Sequence, residues 1–325
     1  MKALVYDGIE TLGFRDVPDP VPGEDEHLIK VEAVGICGSD MHAYLGHDAR
    51  RPAPLILGHE AAGVIVGGPH DGMRVTVNPL VVSPDSPAAI AGRENICPNR
   101  EIISMPPREG AFAQYVAMPM RNLVEVPEDV PLAKAALAEP LAVSWHTAKL
   151  GLNALHSTME RKAVVIGGGA IGLAAALALR AMDVEDVTII EPNDARRAYL
   201  NGIGEKAVDA ADGSAPLVID AVGYGATRAS ASEITAPGGV IAHVGLGDSE
   251  PGLDVRRLTL QEITFIGTYT YTAQDFRDTA HAIFDGRLGP LDWTEARALS
   301  DGAAAFADLR GARVAAPKIV LNPWA

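Results

Sequence analysis

Short stretches in which apolar and polar positions alternate fill the first third of the chain. The opening MKALVYDGIE reads this way, and HLIKVEAVGI, AAGVIVGG and RVTVNPL follow it, each punctuated by turn residues. Period-two patterning broken by Gly and Pro predicts an irregular β domain over residues 1–142. Between residues 143 and 269 the period changes. The apolar strand KAVVI runs through glycines into the helical AIGLAAALALRAM, then come VTIIE and the apolar runs APLVIDAVG, GGVIAHVGL and EITFIGTY. Strands alternating with helices predict a doubly wound parallel sheet. Beyond Thr270, AQDFRDTAHAIFDGR and DGAAAFADLR read as helices and APKIVLNP as a last strand. The expected class is α/β, a β-rich domain joined to a Rossmann-type domain.

A length of 325 residues exceeds what one core usually serves, in line with two domains. The net charge of −15 argues against a nucleic-acid partner, since phosphate binding needs clustered Lys and Arg. The most apolar stretch, Ala163 to Leu179, holds four glycines and suits a buried strand and helix better than a membrane span. The N-terminus carries no apolar leader pattern, and the two cysteines, Cys37 and Cys97, are too few for a disulfide scaffold, so a cytoplasmic protein is expected.

Gly167-Gly168-Gly169-Ala170-Ile171-Gly172 supplies G-x-G-x-x-G between a strand and a helix, the context that makes this motif informative. One glycine permits the tight turn, another admits a pyrophosphate, and the last allows close packing of helix and strand. The next strand ends in Glu191, 24 residues after Gly167, where a carboxylate can hold both hydroxyls of a ribose. Such a carboxylate repels a 2′-phosphate, so NAD is expected over NADP, although Arg196 and Arg197 follow closely and Arg196 is a further candidate to touch the cofactor.

Cys37 in GICGSDMH and His59 in LILGHEAAG offer a thiolate and an imidazole to a metal, with Glu60 and Glu139 as candidates for a third ligand. Spacing alone leaves open the alternative of a buried cysteine and a hydrogen-bonded histidine.

The segments GICGSDMH, LGHEAAGVI, GRENICPNREI, GAFAQYVAMP, LAEPLAVSWHTAK and VVIGGGAIGL occur in an order and at separations that resemble the zinc-containing medium-chain dehydrogenases. The likeness is strongest to their polyol branch, which includes sorbitol, threonine and idonate dehydrogenases. It spans nearly the whole chain. It implies a GroES-like catalytic domain (residues 1–142 and 270–325) interrupted by a Rossmann domain (143–269), and reversible hydride transfer between NAD and an alcohol or polyol with zinc as Lewis acid. Cys37, His59 and Glu139 become the expected zinc neighbours, Glu60 a fourth that alternates with water or Glu139, and Asp40 a residue that orients a ligand from behind. Ser39 and then His42 would carry the proton to solvent. Tyr269 and Tyr271 would line the substrate pocket, and a homodimer or homotetramer would form by sheet extension.

Many relatives carry a second zinc on four cysteines. Counting back from Cys97, the other three positions fall on Ser83, Ser86 and Ala89, so one catalytic zinc and no structural zinc is expected. The stretch from Glu205 to Val218 is also short, which predicts a missing helix. A zinc-free quinone or enoyl reductase of the same superfamily and a non-catalytic nucleotide-binding protein are the competing readings.

Overall fold

The alternating segments of the first third fold as strands that share one core. The computed structural model describes residues 1–325 and divides into two units, Met1–Glu139 with Thr272–Gly286 and Leu291–Ala325, and Pro140–Tyr271 with Arg287–Pro290.

In the first unit a sheet runs in the order Leu123–Glu125, Arg74–Val77, Glu60–Val66, Glu26–Gly35, Lys318–Asn322 and Thr294–Ala298, with Tyr115–Pro119 paired onto Glu26–Gly35. Ile29, Leu57, Ile65, Phe112, Phe306 and Leu321 are fully buried together in its core. Two features of this sheet place the site. A register shift between Val31 and Ala33, against Gly63 and Ala62, inserts an extra residue and brings Gly35 opposite Glu60. The C-terminal strand then enters beside it, pairing Val320 with Gly35 and Leu321 with Val34. Trp324 fastens that strand's end, donating its indole N–H to Val31 O at 2.7 Å beneath the Lys30 ammonium.

The loop that lacks the expected cysteines has a small core of its own. Leu80, Val82 and Cys97 are buried together, with Ala88, Ala89 and Ile102 packed against them. Ser86 caps the turn Pro87–Ile90 by accepting from Ala89 N at 3.1 Å. Apolar packing and a helix cap thus order this loop locally.

The second unit is a six-stranded parallel sheet in the order Ala207–Val208, Asp186–Ile190, Lys162–Ile166, Ala215–Asp220, Thr235–His243, Thr264–Gly267. The order reverses between Lys162–Ile166 and Ala215–Asp220. No helix joins Ala207–Val208 to Ala215–Asp220, as the shortness of that stretch predicts. Two elements escaped the periodicity. Ala138–Ala154 is a 17-residue helix whose Pro140 sits in the first turn, the one place a helix tolerates it. Thr294–Ala298 (TEARA) is an edge strand with no fully buried face to produce alternation. No helix is long and apolar enough to cross a membrane.

Candidate active site

Cys37 ends the loop after Glu26–Gly35 and caps the helix Gly38–Tyr44, while His59 and Glu60 open the neighbouring strand. One ligand atom from each of Cys37, His59 and Glu60 lies within 4.8 Å of the others. Sulfur, imidazole nitrogen and carboxylate oxygen together form a donor set suited to zinc. Glu60 is fully buried, and its Oε2 has no hydrogen-bond partner, as expected of an oxygen reserved for a cation. That oxygen occupies a notch that only glycine leaves: a Cβ on Gly35 would stand 2.0 Å from it.

Behind the ligands lies a second set of groups. Asp40 is fully buried; its Oδ2 accepts from Cys37 N at 2.9 Å, and its Oδ1 accepts from Gly58 N at 3.1 Å and lies 3.5 Å from His59 Nδ1. Ser104 Oγ is 3.4 Å from the same ring nitrogen, which leaves Nε2 to a metal. Burial opposes charge on both partners, yet His59, Arg51 and the Cys37 amide hold Asp40 below its usual carboxylate value. Asp40 and Cys37 in turn outweigh burial and raise His59 well above its ordinary value. Arg51, also buried, donates Nε to Ser104 O at 3.0 Å and Nη1 to Asp48 at 2.6 Å. The support thus runs unbroken from Asp48 through Arg51 and Ser104 to His59.

Lys318 was not anticipated from the sequence. Its Nζ is buried, donates to Glu60 Oε1 at 2.6 Å and to Ile36 O at 2.9 Å, and crosses 258 positions of sequence to reach Glu60. Burial works against its charge, but Glu60, Cys37 and Glu139 together raise it above the ordinary lysine value. In sequence it is the one charged residue of the last strand, KIVLN, and that is the only signal that could have marked it.

The other expected residues fall as follows. Glu139 is buried near enough to act on Lys318 but outside the tight Cys37–His59–Glu60 group. Ser39 is half-buried and His42 exposed, one turn apart on the helix after Cys37. Tyr271 is almost wholly buried and Tyr269 half-buried.

In the second unit Gly169 precedes the helix Ala170–Ala181, and Ile171 O accepts from Ser144 Oγ at 2.8 Å. A Cβ on Gly172 would strike Gly167 O at 1.8 Å, so the helix approaches the strand closely only because this residue is glycine. Glu191 accepts from Gly168 N at 3.0 Å through Oε2 and from Asn193 N at 2.8 Å through Oε1. It therefore fixes the glycine turn itself. Asn193 caps the next helix at Arg196 N, 2.9 Å away, and the Arg196 side chain is half-buried beside it.

Comparison with known proteins agrees with this geometry. An alcohol dehydrogenase GroES-like domain matches residues 23–128 and a zinc-binding dehydrogenase domain matches residues 170–285. The chain is 33% identical over 319 residues to sorbitol dehydrogenase of Bacillus subtilis, covering 88% of this chain and 89% of that one. It is 30% identical over 308 residues to L-galactonate-5-dehydrogenase of Escherichia coli, covering 89% and 88%. A protein of Sinorhizobium meliloti 1021, described as a zinc-binding dehydrogenase and solved with NADP, superposes with a TM-score of 0.88 at 25% identity over 99% of both chains. Fold and relatives define an enzyme, an oxidoreductase that works with a nicotinamide cofactor. The chain belongs to the zinc-containing medium-chain dehydrogenases, in the alcohol and polyol branch.

Two predictions follow from the buried charges. Breaking a buried ion pair from one side costs about 3–5 kcal/mol, so Lys318→Met should destabilise metal-stripped protein by that order, and adding Glu60→Gln should recover part of the loss. Equal urea midpoints for the single and double variants would contradict the pairing. The second concerns acid. Burial opposes it, but Arg50 and Arg51 hold the Asp48 carboxyl at about 2 against an ordinary 3.8. A depressed carboxyl stabilises the fold above its unfolded value and loses that contribution as pH falls through its folded value. Asp48→Asn should therefore cost stability at neutral pH, with the gap to wild type closing between pH 3.8 and about 2 in acid-unfolding curves.

Proposed function

We propose that this enzyme catalyses the reversible NAD-linked oxidation of a secondary alcohol in a polyol or a sugar-derived acid, with one zinc held by Cys37, His59 and a carboxylate. The observation that carries the reading is the buried Cys37–His59–Glu60 donor set with an unpartnered Glu60 Oε2. Zinc, when bound there, polarises an alcohol oxygen, and the nicotinamide takes the hydride. The chain supplies the rest. Asp40 and Ser104 hold His59 with one nitrogen turned to the metal. Lys318 balances Glu60, and Glu139 is proposed to alternate with Glu60 as a ligand. Ser39, half-buried beside Cys37, takes the alcohol proton, and His42, exposed one turn further along, hands it to water. Tyr269 and Tyr271 are proposed to contribute to substrate selection.

The sorbitol and galactonate dehydrogenases among the relatives support the substrate class. The preference for NAD rests on Glu191, whose carboxylate stands at Gly168, and on Arg197, whose guanidinium is engaged with Glu191 O, Pro192 O and Asp194. The nucleotide is proposed to contact Ala170 and Ile171 at the start of the helix, and Arg196. The thiolate chemistry of Cys37 suits the reducing cytoplasm. A homodimer or homotetramer is proposed to form through the edge strand Thr264–Gly267, which has a neighbour on one side only.

Screening polyols, aldonates and simple secondary alcohols for NAD reduction tests the activity. At least one polyol or aldonate should turn over, metal analysis should give one zinc per chain, Cys37→Ser should lose both zinc and turnover, and Cys97→Ser should keep the zinc. Two zinc ions per chain, or full activity in Cys37→Ser, would defeat the assignment. The cofactor prediction is separate: kcat/KM should favour NAD over NADP by at least about tenfold, the effect of some 1.4 kcal/mol of repulsion at Glu191, and equal values would overturn it.

A further inference from the structure

Open parallel sheets take their ligands outside the carboxyl ends of the strands, where the order reverses. Here the reversal lies between Lys162–Ile166, which leads into the glycine turn, and Ala215–Asp220. Glu191, which on the proposed reading holds the ribose of the adenosine half, lies on one side of that point. The other side must face the nicotinamide half, and there the last residue of the strand is a fully buried carboxylate, Asp220.

Asp220 has an unusual load of partners for a side chain that no ligand could touch directly. Its Oδ1 accepts from Val222 N at 3.0 Å and Gly223 N at 2.9 Å, and its Oδ2 accepts from Thr227 Oγ1 at 2.9 Å. His243 Nδ1, at the end of the adjacent strand, lies 3.2 Å from Oδ2, off the hydrogen-bond line. The His243 ring also rests on Phe265, 5.5 Å between centroids. Burial would raise the carboxyl, but the contacts from His243, Gly223, Val222 and Thr227 hold it below its ordinary value, so the charge is retained.

The backbone continues the same arrangement. Asp220 O accepts from both Val244 N and Gly245 N at 3.0 Å, Val222 O accepts from Gly247 N at 3.1 Å, and Gly223 O accepts from Asp248 N at 3.0 Å. The turns after the two strands are therefore locked together, so closely that a Cβ on Gly245 would stand 2.2 Å from the Val222 carbonyl carbon. Val222 in turn covers Gly167, where a Cβ would lie 2.4 Å from its Cγ2. The glycine turn, the turn at Val222–Gly223 and the turn at Val244–Gly245 form one surface, and Asp220 is the charged group beneath it.

We propose that Asp220 is a positioning residue of the dinucleotide site, holding the turns at Val222–Gly223 and Val244–Gly245 as a preformed wall for the nicotinamide half of the cofactor. The inference rests on the reading of this unit as the dinucleotide site. It assigns a role to His243 and Thr227 as well, since each supports the carboxylate from a different element.

The test uses the zinc-loaded enzyme and its Asp220→Asn and Thr227→Val variants, with NADH binding followed by fluorescence. Asparagine keeps the size but turns a donor toward Thr227 and His243, so the dissociation constant for NADH and the KM for the dinucleotide should rise about tenfold or more, the usual effect of losing a bond to a charged group. The KM for the alcohol and the zinc content should stay within about twofold, and amide exchange should quicken in residues 221–225 and 244–248, a split that a general loss of stability would not produce. Thr227→Val removes a single arm and should give a smaller rise in the same direction. NADH binding by Asp220→Asn within about twofold of wild type overturns the proposal. Should Asp220→Asn fail to fold, unchanged NADH binding in both Thr227→Val and His243→Leu overturns it instead. Wild-type protein that bound neither NADH nor NADPH would overturn the nucleotide-site reading itself, and the proposal with it.

Discussion

The buried pair of Lys318 and Glu60 is the constraint around which the catalytic unit is arranged. A carboxylate with no exposure is costly unless a counter-charge and hydrogen bonds meet it. The counter-charge comes from the last strand, 258 positions away, and it reaches Glu60 only because Val320 and Leu321 pair with Gly35 and Val34. Three local features follow from that demand: the extra residue near Val31 that sets the register, the glycine at position 35 that makes room for Oε2, and the Trp324 clasp that closes the strand's end. One oxygen of Glu60 answers to Lys318 and the other has no partner, which is how a carboxylate can be held in place and still be offered to a cation.

The same device recurs under each functional surface. Asp40 sits beneath Cys37 and His59, Glu191 beneath Gly168, and Asp220 beneath Val222 and Gly223, each a buried carboxylate accepting backbone N–H groups. Backbone amides converging on a charge are worth more than neutral pairs and fix the turn that supplies them. By contrast, pairs such as Lys2 with Asp16 are exposed and contribute little. Rigidity is placed where ligands must meet preset groups.

The loop from Leu80 to Ile102 is held by apolar packing. It has one buried cysteine among apolar neighbours and a serine that caps a short turn. Burial of these apolar side chains adds to the strand pairing that anchors the loop at both ends.

The sequence by itself determined the class of fold and the nucleotide turn, because both depend on local patterns. Strand, glycines, helix and the acidic end of the next strand lie within about thirty residues, and period and turn chemistry are local properties. It also named Cys37 and His59 with Glu60 and Glu139 as candidates for a third ligand, and resemblance to a family favoured Glu139. It left the third ligand open, and the tertiary structure draws Glu60, and not Glu139, into the tight group. Lys318, the Asp48–Arg51–Ser104 support and the partners of Asp220 were legible in no motif, since each side chain acquires its role from a neighbour distant in sequence. A buried charge is recognisable only when its burial is known, and burial is decided by how strands pair, which one-dimensional pattern constrains but does not fix.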